Sequence, residues 1–120
     1  NINLLKIKLP LSAFLSITHR ISGIIIFFIV LPVSVFIFSE LTQSQDSFNN
    51  FMIMYHKNLG IKFGCVGLIL IFQYHIFTGV RHILMDFHIL NESLSSSYKS
   101  AVTTLVLFAV NALLTLWVML

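Results

Sequence analysis

Charged residues and cysteine are both scarce in this chain. Of its 120 residues, seven are Lys or Arg, four are Asp or Glu, and one is a cysteine, Cys65, which lies inside an apolar run. A single cysteine excludes an internal disulfide and a CxxC metal or haem-attachment motif. The net charge of +3 is spread along the chain, without a basic cluster interleaved with aromatic residues. Because binding to nucleic acid usually requires such a cluster, we expect no nucleic-acid partner.

Apolar residues are abundant instead. They make up 58% of the chain, which has a mean hydropathy of +0.96, far from the average of a water-soluble domain. Three runs lack charged residues, at 21–38, 63–80 and 100–120, and each approaches or exceeds the ~20 residues that a membrane-spanning helix needs. The sequence therefore predicts an all-α membrane protein, a single domain over residues 1–120. Its helices are expected at about 11–39, 59–87 and 97–120, the first beginning just after Pro10.

The distribution of Lys and Arg predicts the orientation of the helices. Five of the seven lie on the amino-terminal side or at the turn between the second and third helices. These are Lys6, Lys8, Arg20, Arg81 and Lys99. Because cytoplasmic loops carry an excess of basic residues, the amino terminus and this turn are expected to face the cytoplasm, or the mitochondrial matrix. The stretch "SELTQSQDSFNNFM" (39–52) is predicted to be a polar loop, and Pro32 is expected to kink the first helix.

Polar side chains form a stripe on each of the first two predicted helices. On the second, His75, Gly79, His82 and Asp86 are spaced i, i+4, i+7 and i+11, which places them on one face. The first helix has a similar stripe near its amino-terminal end, formed by Ser12, Ser16, His19 and Gly23. Both stripes lie near the cytoplasmic ends of their helices, so they can face each other across a shared site. Gly79 has no side chain, so a flat group can lie against the backbone there.

The histidines favour an iron site that a second chain completes. Ionisable groups at membrane depth are costly and usually functional, and a neutral imidazole is a common metal ligand. His75 and His82 are about 10 Å apart along one helix face, so they cannot both bind one iron axially. His19 is expected near a membrane surface, while His56 and His88 lie outside the predicted spans. A second axial ligand would therefore come from a partner chain.

Simpler interpretations of the same residues remain open. His75 could be a polar residue that packs two helices together. Arg81, His82 and Asp86 could reach toward the aqueous interface and pair there, as long charged side chains do. Ser16 could be a small residue at a helix contact. The chain would then be a purely structural anchor. A small proton-conducting or transport subunit is a third alternative, although the polar stripes do not continue into the far halves of the helices.

Two segments of the chain, "SITHRISG" (16–23) and "YHIFTGVRHILMDF" (74–87), resemble a known family. This is the cytochrome b membrane-anchor subunit of succinate dehydrogenase, the larger of its two anchors. The family carries S-x-x-H-R-x-[ST]-G on its first helix and H-x-x-x-G-[IV]-R-H-x-x-x-D on its second, and both motifs are intact here. The leading segment is most similar to the bacterial branch. That similarity favours the bacterial cytoplasmic membrane over the mitochondrial inner membrane.

The resemblance implies a haem site. His75 corresponds to an axial ligand of haem b, and the opposite ligand would belong to the smaller anchor subunit. His19, Arg20 and His82 correspond to positions in the vicinity of the haem propionates. The chain is therefore expected to share one haem b with its partner anchor in the lipid bilayer.

The resemblance also implies a quinone site and further partners. Ser16 and Arg20 correspond to residues that bind ubiquinone, and Asp86 and Glu92 to acidic residues that can deliver protons to it. The iron–sulfur and flavoprotein subunits would complete the enzyme, with electrons passing from the iron–sulfur subunit to the quinone. The chain itself would not oxidise succinate. Quinol:fumarate reductases share this architecture, so an anchor of that related enzyme is an alternative.

Overall fold

The computed structural model describes residues 10–91 and 93–120, and all regular structure in these ranges is helical. We label the helices α1 (Leu11–Gln43), α2 (Gln45–Lys57), α3 (Leu59–Asp86) and α4 (Leu94–Met119). Three of them, α1, α3 and α4, are long and apolar enough to cross a membrane. The prediction of an all-α membrane protein with three spanning helices is therefore confirmed. Lys6, Lys8 and Glu92 lie outside the described residues.

Helix α1 changes its hydrogen-bond pattern just before Pro32, where a kink is predicted. Proline has no N–H, and its ring clashes with the carbonyl four residues earlier. The helix accommodates this by widening into a π-helical segment at Ile26–Val30, where the N–H of Leu31 donates to the carbonyl of Ile26. It then returns to α-helical geometry and continues to Gln43, four residues beyond the expected end. A π segment is one of the recognised ways in which a helix absorbs a proline.

The predicted polar loop at 39–52 is wrong over most of its length, because Gln45–Lys57 forms α2. Ser44 and Ser47 make a reciprocal cap, in which each side-chain oxygen accepts from the other residue's backbone N–H, at 3.0 and 3.1 Å. Such a pair satisfies two of the free N–H groups at a helix start. Phe51 then turns inward and is buried. The abundance of Ser, Asn and Gln concealed this helix.

Helices α1, α3 and α4 pack against one another, and α2 packs beside the end of α1 and the start of α3. The small core includes Leu15, Val66 and Ala101, which are 0–3% exposed. Most other large apolar side chains point outward, among them Phe28 (70% exposed) and Trp117 (83%). In a helix that lies in lipid, such outward apolar residues are expected, because the hydrocarbon is their solvent.

Candidate functional site

Arg81 of α3 is buried at the centre of the three spanning helices, with only 2% of its surface exposed. Its Nη2 donates to the hydroxyl of Ser12 on α1 at 3.0 Å and to the carbonyl of Ser97 on α4 at 3.1 Å. Its Nε donates to the hydroxyl of Ser100 at 3.1 Å. The interpretation of Arg81 as a side chain that reaches out to the interface is therefore wrong. This arginine joins all three helices, and its Nη1 is buried without a hydrogen-bond partner among the described residues.

Two copies of one five-residue pattern, H-x-x-[ST]-G, meet between α1 and α3, one turn further into the bundle. The first copy is "HRISG" (19–23) and the second is "HIFTG" (75–79). His19 Nδ1 lies 2.8 Å from the hydroxyl oxygen of Thr78, and His75 Nδ1 lies 2.9 Å from that of Ser22. Each histidine thus bonds to the hydroxyl of the other helix. The preceding residues, Thr18 and Tyr74, are also hydrogen-bonded to each other.

The glycines of the two copies let the imidazoles lie close to the opposite helix. A Cβ on Gly23 would be 3.1 Å from His75 Cε1, and a Cβ on Gly79 would be 3.0 Å from His19 Cε1. The two rings stack with centroids 4.2 Å apart and planes 8° apart. Gly79 does therefore admit a flat group, as expected. In this structure that group is the ring of His19.

His19 lies beside the other histidines of this site, where the two predicted polar stripes meet. It contacts His75 on one side, and its ring centroid is 5.1 Å from that of His82. Two stacked imidazoles cannot be the two axial ligands of one iron, because the iron must lie between their nitrogens. Among the described residues, no group of three His, Cys, Asp or Glu side chains is arranged to hold a metal ion.

Ser16 lies at the edge of a cavity of about 540 Å³ that opens between α1 and α3. Arg81 and His82 line the same cavity, and the Nε2 atom of His82 is buried with no hydrogen-bond partner in residues 10–91 and 93–120. Arg20 does not line this cavity, and its side chain is exposed one helical turn beyond Ser16. Asp86 is exposed at the last residue of α3. The structure thus brings Ser16 and His82 to one cavity, whereas Arg20 and Asp86 are exposed and do not line it.

Sequence reasoning missed three side chains of this site: the hydroxyl groups of Ser22 and Thr78, and the buried guanidinium of Arg81. A signal for the first two was present, because the pattern H-x-x-[ST]-G occurs once on each of the two helices. Five-residue repeats of common residue types are easily overlooked when no other part of the chain repeats. No comparable signal distinguished a buried Arg81 from an interfacial one, since its partners are serines on two other helices.

The fold and the site define a multi-pass membrane protein whose histidine, arginine and hydroxyl side chains are concentrated at one end of a helix bundle. The family model for the succinate dehydrogenase/fumarate reductase transmembrane subunit matches residues 1–117, and the chain belongs to this family. The resemblance drawn from the two motifs is thereby confirmed.

Two curated relatives have names that agree with this family. The succinate dehydrogenase cytochrome b556 subunit of Coxiella burnetii is 34% identical over 86 residues, which are 72% of this chain and 68% of the relative. The succinate dehydrogenase cytochrome b560 subunit of the alga Porphyra purpurea is 35% identical over 97 residues, 80% of this chain and 76% of the relative. Both names describe a cytochrome b subunit of succinate dehydrogenase.

Proposed function

We propose that this chain binds haem b, forms part of the quinone site of succinate dehydrogenase, and helps to pass electrons from the iron–sulfur subunit to ubiquinone. It would anchor the iron–sulfur and flavoprotein subunits to the membrane together with a smaller anchor subunit. The family match and the names of both relatives support this assignment. The chain acts within the enzyme without oxidising succinate itself.

The observation that carries the proposal is the hydrogen bond between His75 Nδ1 and the Ser22 hydroxyl. The two atoms are 2.9 Å apart, so Nε2 is the nitrogen left for a metal. A metal-bound histidine typically uses its other nitrogen in this way. Haem b, when bound, supplies a one-electron redox centre. Its second axial ligand would come from the smaller anchor, because His19 stacks on His75.

Buried polar atoms near His75 are suited to bind the propionate groups of a haem. Within the described part of the chain, the Nη1 of Arg81 and the Nε2 of His82 are both buried without partners. Unpaired buried polar groups are rare in folded proteins, since each costs about 1–3 kcal/mol or more. A propionate carboxylate can accept from the guanidinium, and from His82 when its Nε2 carries the proton. His19 and Arg20, which the family resemblance assigns to the same vicinity, lie on the adjoining turns of α1.

The cavity at Ser16 supports the quinone assignment. The Ser16 hydroxyl can donate to a quinone carbonyl, and Arg20, one turn further along α1, can stabilise the negative charge that develops on reduction. Reduction to a quinol also requires two protons. Asp86 lies exposed at the end of α3, where it is in position to relay protons from the aqueous phase. We assign a similar role to Glu92.

Two parts of this proposal, the enzyme and the membrane, each have one alternative. The family includes fumarate reductase subunits, so an anchor of a quinol:fumarate reductase is the second candidate. The membrane is proposed to be the bacterial cytoplasmic membrane, with the mitochondrial inner membrane as the alternative, since the relatives come from a bacterium and from an alga. In both membranes we expect the amino terminus to lie on the side of the succinate-oxidising subunits.

The substitution His75→Ala tests the haem assignment. The purified complex should lose its low-spin b-type signal in a reduced-minus-oxidised spectrum, because the iron loses an axial ligand. His56→Ala is the matched control, since His56 is exposed on α2 and distant in sequence from the site. It should leave the spectrum unchanged. An unchanged spectrum in His75→Ala would show that His75 only packs helices together.

A further inference from the structure

We propose that Ser22 is a positioning residue for His75, whose hydroxyl fixes the imidazole in the tautomer that leaves Nε2 free to bind iron. The inference rests on the proposed role of His75 as a haem ligand. It assigns a specific task to a side chain that lies on the other helix and does not itself reach the metal.

The direction of the hydrogen bond follows from counting protons. The Ser22 hydroxyl has one proton, and its Oγ lies 2.7 Å from the carbonyl oxygen of His19, which can only accept. Ser22 must therefore donate to that carbonyl. Its oxygen can then only accept at its second contact, the His75 Nδ1 atom at 2.9 Å. His75 consequently carries its proton on Nδ1, and the lone pair remains on Nε2.

The surroundings leave His75 few other arrangements. Ser22 is 5% exposed, so water cannot easily replace its hydroxyl. The ring of His75 is confined by the close approach of Gly23 and by stacking on His19. A ring held this way presents Nε2 in one direction, and the Nδ1–H hydrogen bond makes the imidazole a more basic ligand. Loss of the Ser22 oxygen would remove the Nδ1–H hydrogen bond without changing the volume of the site by more than one atom.

The second copy of the H-x-x-[ST]-G pattern provides an internal control. Thr78 donates to the carbonyl of Tyr74 at 2.8 Å, and its oxygen lies 2.8 Å from His19 Nδ1. The same proton count therefore applies to His19. If His75 alone binds the iron, the Ser22 oxygen should affect the ligand and the Thr78 oxygen should not. The two hydroxyl oxygens lie at similar distances from the opposite Nδ1 atoms, 2.9 and 2.8 Å, so Thr78→Val controls for the loss of one such hydrogen bond between α1 and α3.

The experiment compares Ser22→Ala, Ser22→Thr and Thr78→Val in the intact complex. Two readouts are the low-spin electron paramagnetic resonance signal of the oxidised haem and the rate of haem transfer to excess apomyoglobin. Ser22→Ala should shift the signal and speed haem loss about tenfold or more, as loss of such hydrogen bonds does at other metal sites. Ser22→Thr keeps the oxygen and should retain the parent signal. Thr78→Val should also retain it.

Several outcomes would overturn the inference. One is a parent-like signal and rate in Ser22→Ala in a complex where His75→Ala abolishes the haem signal, which would leave His75 as ligand but remove the role of Ser22. Another is a shift in Thr78→Val with none in Ser22→Ala, which would make His19 the ligand. Ser22→Gly also removes the oxygen, so it should reproduce the Ser22→Ala shift. A parent-like signal in Ser22→Gly would show that the oxygen does not set the ligand.

Discussion

The two ends of the helix bundle are built differently. At one end, which we call the polar end, side-chain hydrogen bonds join the spanning helices through Arg81, His19 and His75. At the other, the apolar end beside α2, a cavity of about 390 Å³ is lined mostly by side chains such as Phe51 and Leu68. The polar end fixes which residues face each other, whereas the apolar end supplies packing. Function is expected where the buried polar atoms are concentrated.

The glycines allow the largest test of this contrast. At the polar end, a Cβ on Gly79 would lie 3.0 Å from His19 Cε1, whereas at the apolar end a Cβ on Gly67 would meet nothing within 4 Å. Gly79→Ala should destabilise the complex by about 1–3 kcal/mol, because the His19 ring is trapped between Gly79 and His75. The midpoint temperature for thermal dissociation of the detergent-solubilised complex measures the effect.

Gly67→Ala is the matched control for that prediction. It should leave the midpoint unchanged or raise it, because alanine is the better helix former by up to about 1 kcal/mol. Equal losses in the two variants would contradict the proposed difference between the ends. They would show that any added methyl group on α3 disturbs assembly.

Substitutions in the proposed quinone site at the polar end should slow quinone reduction without unfolding the chain. Ser16→Ala and Arg20→Leu are each expected to slow quinone reduction at least tenfold, about 1.4 kcal/mol of transition-state stabilisation. Succinate oxidation with an artificial acceptor that takes electrons before the quinone should be largely retained. Steady-state assays with the two acceptors on the same preparation measure both activities.

Ser34→Ala is a suitable control for Ser16→Ala, because Ser34 lies on the same helix and lines the apolar cavity. Its quinone reduction should match that of the parent protein. Loss of both activities together in Ser16→Ala would indicate failed assembly. Undiminished quinone reduction in Ser16→Ala and Arg20→Leu would place the site elsewhere.

The smallest effect is expected at a polar contact outside the polar end. Gln73 on α3 donates through Nε2 to the Thr115 hydroxyl at 2.8 Å, but its Oε1 is buried without a partner. Hydrogen bonds between membrane helices contribute about 0.6 kcal/mol on average. Gln73→Leu should therefore lower the midpoint of thermal dissociation by only a degree or so, since it also removes an unsatisfied oxygen. A large fall in this midpoint, or a change in the haem spectrum, would show that Gln73 belongs with the functional residues of the polar end.

The sequence predicted the parts of the structure that depend on local pattern. Long uncharged runs identified the three spanning helices, and the spacing of His75 and Gly79 identified one face of α3. It failed where the outcome depended on contacts between distant residues. The burial of Arg81 depends on serines at 12, 97 and 100, and the stacking of His19 depends on a close approach of two helices.

The missed helix α2 had a different cause. Its polar composition outweighed the spacing of Phe48, Phe51, Met52 and Tyr55, which is that of one helix face. The pairing of residues across the bundle, in contrast, is not encoded in a single window of sequence and requires the geometry of the whole chain.

The crossed pattern between α1 and α3 also bears on how the chain enters the membrane. Ser22 bonds to the carbonyl of His19, and Thr78 to that of Tyr74, so each hydroxyl is satisfied within its own helix. A helix can thus insert into lipid before its neighbour arrives without an unpaired hydroxyl, which the hydrocarbon would penalise. The imidazole N–H groups must wait for the opposite helix, as must the guanidinium of Arg81, whose partners lie on α1 and α4. Pairing of α1 with α3 is therefore the step that completes the insertion of His19 and His75. A shift of one helix along the other by one residue would leave both imidazoles without their hydroxyl partners.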